Sequence, residues 1–110
     1  MAITNAQLTT TQLDILTVPA STAYAITNIL VCNNGTASAL FDMHLIPQGF
    51  SLDNAVTRVI NNLELPAGET FTFDNEKIVL DEGDRIAFVA EPNLGTGLTN
   101  LAATVSFLEV

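Results

Sequence analysis

In several short β-branched and aromatic runs of this chain apolar residues recur at every second position, and Pro, Gly, Asn and Asp punctuation separates the runs. A period of two puts alternate side chains on opposite faces of an extended strand, whereas a helix needs apolar positions three and four apart. No stretch carries the helical spacing. The pattern predicts strands at about 12–18, 23–33, 37–46, 56–65, 68–74, 77–80, 84–91 and 101–109. At 110 residues the chain has material for one core. The expected fold is therefore all-β: an antiparallel β-sandwich of about eight strands, jelly-roll or Greek-key-like, spanning residues 12–110.

The alternation assigns faces. Phe71 and Phe73 share one side of their strand and Thr70 and Thr72 the other. Ile86 and Phe88 oppose Ala87 and Val89, while Ala103, Val105 and Phe107 oppose Thr104, Ser106 and Leu108. One face of each strand feeds a core between two sheets about 10 Å apart. The run Ile29-Leu30-Val31-Cys32 breaks the rule, being apolar on both sides. Two readings stand: a central strand covered on its outer side by a neighbouring subunit, or a bulge that changes face in mid-strand, with Asn28 marking it.

Turn chemistry joins the strands. Asn33-Asn34-Gly35 offers residues that tolerate positive φ in a tight hairpin. Pro66-Ala67-Gly68-Glu69 and Asp81-Glu82-Gly83-Asp84 read as corners that free φ at the glycine. The segment Pro92 to Leu98, with Gly95 and Gly97, reads as a longer mobile loop. Leu16-Thr17-Val18-Pro19-Ala20 and Leu63-Glu64-Leu65-Pro66-Ala67 are the same corner solved twice. Residues 1–11 are weakly patterned, either a frayed lead-in or an arm that pairs with a neighbour's sheet edge.

Charge narrows the function. Twelve acids against three bases give a net charge of −9, and Arg58, Lys77 and Arg85 are too few to neutralise a run of phosphates. Direct nucleic-acid binding and attraction to anionic lipid are not expected. Apolar residues make up 48% of the chain and charged residues only 14%, against roughly 25% charged in ordinary soluble domains. That excess of apolar material points to surface shared with other chains. With no basic leader and no apolar run long enough to span a bilayer, the expectation is synthesis in the cytoplasm as a soluble protein.

Catalytic constellations are scarce. His44 is the single histidine and Cys32 the single cysteine. Cys32 lies in an apolar strand, where a buried small hydrophobe is the simpler reading than a nucleophile. His44 reads as a strand residue at a wall or interface. Among the acids Asp74, Glu76, Asp81, Glu82 and Asp84, the turn Asp81-Glu82-Gly83-Asp84 is a weak cation candidate. It lacks the spacing of a calcium loop, and solvated turn acids explain it adequately. No tryptophan and one tyrosine, Tyr24, argue against a glycosidase cleft or lectin groove. The expectation is a non-enzymatic protein without cofactor, metal or small-molecule substrate.

Several segments carry a resemblance. Leu16-Thr17-Val18-Pro19-Ala20, then Tyr24 through Asn33, followed by Leu65-Pro66-Ala67-Gly68-Glu69-Thr70, Leu80-Asp81-Glu82-Gly83-Asp84-Arg85-Ile86 and the closing Thr104 to Val110, resemble small β-sandwich virion structural proteins of tailed bacteriophages. The likeness covers roughly residues 13–110 and rests on structural corners. It implies a virion component present in several copies at the tail, neck or capsid surface, without choosing among them; the first expectation is an oligomer of the tail or neck, whose partners are its own copies and other virion proteins. A capsid decoration protein and a receptor- or glycan-binding module are the alternatives. Interface candidates are Ile29, Val31, Val105 and Phe107 on the second and last strands, with Ile3 and Leu8 in the N-terminal segment.

Overall fold

The computed structural model describes residues 2–73, 78–91 and 98–110. Its strands are β1 (Ala2–Thr9), β2 (Leu13–Thr17), β3 (Tyr24–Asn33), β4 (Ala39–Ile46), β5 (Arg58–Leu65), β6 (Thr70–Phe73), β7 (Ile78–Leu80), β8 (Arg85–Ala90) and β9 (Leu98–Glu109). They form two antiparallel sheets, one ordered β1-β9-β3-β6 with β7 also on β3, the other β2-β8-β4-β5. Strand β6 pairs with Ile29–Cys32 and β7 with Tyr24–Ile26, so the two occupy one strand position along β3. Each sheet is thus four positions wide. Apart from β4–β5 and the β6–β7 pair, successive strands alternate between the sheets. This is the jelly-roll arrangement of two interleaved Greek keys.

All eight expected strands are present, with bounds shifted by a few residues. The ninth is β1. Residues set apart as a lead-in or free arm instead form an edge strand of the sandwich, antiparallel to β9 in the same chain from Ala2↔Phe107 to Gln7↔Ala102. Leu8 anchors it with a fully buried side chain, and its carbonyl accepts a 2.9 Å hydrogen bond from the Thr99 hydroxyl.

The core lies between the sheets. Phe41, Met43, Ile86 and Phe88 come from one side, and Leu8, Ile29, Val31, Leu101, Ala103 and Val105 from the other, all essentially without solvent exposure. Phe41 contacts Phe88 and Phe71 at ring-centroid distances of 6.0 and 6.1 Å, within the range of favourable tilted and edge-on pairs. Each such side chain contributes about 1.5–3 kcal/mol by leaving water.

Four of the six interface candidates are therefore core residues: Ile29, Val31, Val105 and Leu8. Phe107 is half-buried with its ring 4.4 Å from that of Tyr24. Only Ile3 is freely exposed, at 67%. The physical reason is a bulge. The β3–β9 register slips between Ile26 and Asn28, leaving Thr27 unpaired, so Ile26 and Ile29 both point inward although three residues apart. Beyond the slip the alternation resumes, with Val31 inside and Leu30 and Cys32 half-buried on the outer side. The bulge sets which residues of the run face inward, while Leu30 and Cys32 still leave its outer side apolar, so a cover on that side is not replaced by the bulge.

The corners follow their chemistry with one exception. Gly68 and Gly83 take φ of 79° and 81°, and the closing bonds Glu69 N to Pro66 O (3.2 Å) and Asp84 N to Asp81 O (3.0 Å) make both type II turns. Asn33-Asn34-Gly35 is no tight hairpin: none of the three has positive φ, and β3 and β4 belong to different sheets. Asn33 is instead a buried clamp. Its side-chain amide donates to Ala37 O and Leu65 O at 2.9 Å, its Oδ1 accepts from Gly35 N, and its backbone exchanges bonds with Gly68 and Glu69. Of the loop expected over 92–98, residues 92–97 lie outside the described residues and Leu98 is the first residue of β9.

Candidate functional site

The outer faces of the two sheets differ in charge. On the β2-β8-β4-β5 sheet the strands carry Asp14, Asp42, Arg58, Glu64 and Arg85. Arg85 lies 3.4 Å from Asp14 and Arg58 lies 3.6 Å from Asp42, both partly exposed pairs of modest stabilising value. The strands of the other sheet contain one charged side chain, Glu109, at the last position of β9. Register places Asn5, Thr104, Leu30 and Thr72 side by side across its outer face, because they pair with one another and alternate with the inward Ala6, Ala103, Val31 and Phe71. Ile3, Gln7, Ala25, Asn28, Cys32, Thr70, Val79, Ala102, Ser106 and Leu108 lie on the same face. Exposed apolar side chains stand on this face, Ile3 at 67% and Val79 at 62%, with Leu108 also exposed.

The opposite sheet is partly roofed by residues 47–57, the β4–β5 connection. His44 and Ile46 on β4 and Ala87 on β8 point outward, away from the core, yet are sealed. Arg85 helps hold the roof by donating to the Phe50 carbonyl. The His44 ring has no solvent exposure, and its Nδ1 lies 2.8 Å from Thr57 Oγ1. Thr57 Oγ1 also donates to Asp53 O and accepts from Asp53 N, each at 3.0 Å. With its one proton given to Asp53, the hydroxyl is left to accept from His44, which assigns the Nδ1–H tautomer. Nε2 is then a buried lone pair without a partner among the described residues. Burial, which penalises the charged ring, lowers the His44 pKa below 6.5; Asp42 opposes the shift and Arg58 adds to it. The roof exposes Phe50 and Val56, and Val59 at the start of β5 is exposed as well.

The weak cation candidate does not assemble. Asp84 accepts from Gln48 N (2.9 Å) with one carboxylate oxygen and from Asp81 N (3.0 Å) with the other, and Glu82 accepts from Ser21 N at 3.2 Å. These acids cap loop amides at one end of the sandwich, beside an open depression lined by Ser21, Gln48, Asp81 and Val110. Among the described residues no three of His, Cys, Asp and Glu converge on a common point. Asp74 and Glu76 lie outside the described residues.

Cys32 is half-buried on the outer side of β3, not a core hydrophobe as expected, and its thiol is 3.4 Å from Asn34 Oδ1. Both sheets and the core separate it from His44, so the two cannot act as a nucleophile–base pair. Tyr24 spends its ring on Phe107 and presents no open sugar platform.

Reading the sequence one strand at a time pointed to the outward faces of the strands at 23–33 and 101–110 but named their inward residues in place of Leu30, Thr104 and Leu108, and it missed Asn5 and Val79. The signal was present as a near-absence of charge in five strands, broken only by Glu109, but it becomes a face only once those strands are known to share a sheet. Compared with known protein families and curated protein sequences, the chain matches no family model and no curated sequence.

Proposed function

We propose that this chain is a non-enzymatic virion structural protein of a tailed bacteriophage, an oligomeric component of the tail or neck. One observation carries the assembly part of this reading. Apart from Val110 after the last strand, the exposed large apolar side chains among the described residues stand in two sets on opposite sides of one small sandwich, Ile3, Val79 and Leu108 on one sheet and Phe50, Val56 and Val59 on the other side. A small body that keeps such groups in water is unfavourable unless they are covered by other chains. The bacteriophage part rests on the corner motifs from Leu16 to Ile86, which sit at the crossings of a jelly roll that virion domains share with unrelated proteins. The sealed histidine supports a non-catalytic role, since a ring without exposure has no route to a substrate proton.

Sedimentation velocity of the purified chain, paired with antibody labelling of intact particles by electron microscopy, tests the proposal. A discrete homo-oligomer and label at the tail or neck are the expected results. Label over the shell would replace this placement with capsid decoration. A chain that stays monomeric at every concentration and is absent from the particles would overturn the reading.

A further inference from the structure

We infer that the uncharged outer face of the β1-β9-β3-β6/β7 sheet packs against the same face of a second copy of this chain. The inference rests on the oligomeric reading above and names the surface and partner for it. The first argument is charge. Each copy carries −9, and the described charged residues lie in the connections or on the other sheet, except Glu109 at the end of β9. A basic partner would find no counter-charge here and would be drawn to the acid-bearing surfaces instead. A partner as acidic as the chain itself can approach only where charge is absent. Head-to-tail packing against the opposite sheet would take the Asp14–Arg85 and Asp42–Arg58 pairs and Glu64 out of water against a face that offers no further charge, which is costly. Face-to-face packing avoids this and is isologous, a twofold contact.

Distance reinforces the argument. The sandwich has a short axis of 20 Å, so the acids of the far sheet stand behind the whole body from the contact. That exceeds the screening length of about 8 Å at physiological ionic strength.

Area is the second argument. Four strand positions at ~4.8 Å spacing and strands of up to ~40 Å give a tapered face of roughly 600–700 Å² in projection. Accessible area exceeds projected area, so the face approaches the ~800 Å² per partner of a standard specific interface. Its side chains suit sheet-on-sheet contact, with small Thr, Ser, Asn and Ala around Leu30, Val79, Leu108 and Ile3.

Thr104, flanked by Asn5 and Leu30, lies near the centre of the face. Thr104→Glu places a carboxylate against its symmetry mate and should weaken dimerisation in sedimentation velocity by at least about tenfold. Asn5→Glu, at an exposed outward position, should weaken it without touching the core and carries the test should Thr104→Glu fail to fold, as judged by circular dichroism. Val56→Glu, on the roof of the other sheet, should associate like the wild type. If both face variants associate normally, or if Val56→Glu alone dissociates the protein, the face is wrong while the oligomeric reading stands. A wild-type chain that never associates ends both.

Discussion

Thr57→Val replaces one side chain by another of nearly the same shape and removes a single hydroxyl. That hydroxyl holds the 47–57 roof through three hydrogen bonds, two to the Asp53 backbone and one to His44, at 2.8–3.0 Å. Valine fills the same volume, so no cavity forms, and the cost is polar. Each lost bond is worth about 0.5–1.5 kcal/mol net, and leaving the His44 Nδ1–H buried without an acceptor costs about 1–3 kcal/mol. Partial rehydration of Asp53 near the surface recovers some of this, so we expect a loss of about 3 kcal/mol. With a urea m-value of about 2 kcal/mol/M, the unfolding midpoint should fall by roughly 1.5 M. Thr57→Ser keeps the hydroxyl and should lose about 1 kcal/mol, the value of the missing methyl. Urea titrations of the three proteins at one fixed concentration provide the measurement. A Thr57→Val midpoint within about 0.3 M of wild type would refute the claim that this hydroxyl secures the roof, since it would correspond to only about 0.6 kcal/mol.

His44 gives the fold a pH dependence of known sign. Its pKa is lower in the folded state than in the unfolded chain, so below about 6.5 the unfolded state takes up the proton first. The stability linked to neutral His44 is complete above pH 6.5 and declines as pH falls towards the folded pKa; melting curves between pH 7.5 and 5.5 should show this, and His44→Gln should flatten that part of the profile. Val105→Ala should lower stability by about 2–3 kcal/mol through lost burial and a small cavity. If it instead dissociated the oligomer at unchanged protomer stability, the assignment of Val105 to the core would be wrong. Copies of charge −9 repel, so self-association should strengthen as salt rises from low ionic strength, and sedimentation showing the reverse would contradict a contact made through an uncharged face.

Much of the fold was legible along the chain because its causes are local. A period of two marks a strand wherever it occurs, and Gly68 and Gly83 announce their turns because few residues tolerate φ near +80°. Eight strands and two type II corners follow from such signals. What tertiary structure alone decided concerns neighbours distant in sequence. Residues 2–9 look featureless until they lie beside β9, about a hundred residues away, where Leu8 reaches the core. One unpaired residue, Thr27, turned Ile29 and Val31 inward, and alternation alone cannot reveal a slip that depends on the partner strand's register. His44 points outward by parity and is buried because a loop folds over it. The uncharged face exists only because the order β1-β9-β3-β6, with β7 also on β3, gathers five separate segments. Alternation shows that a strand has two sides, but only the packed structure determines what each side meets.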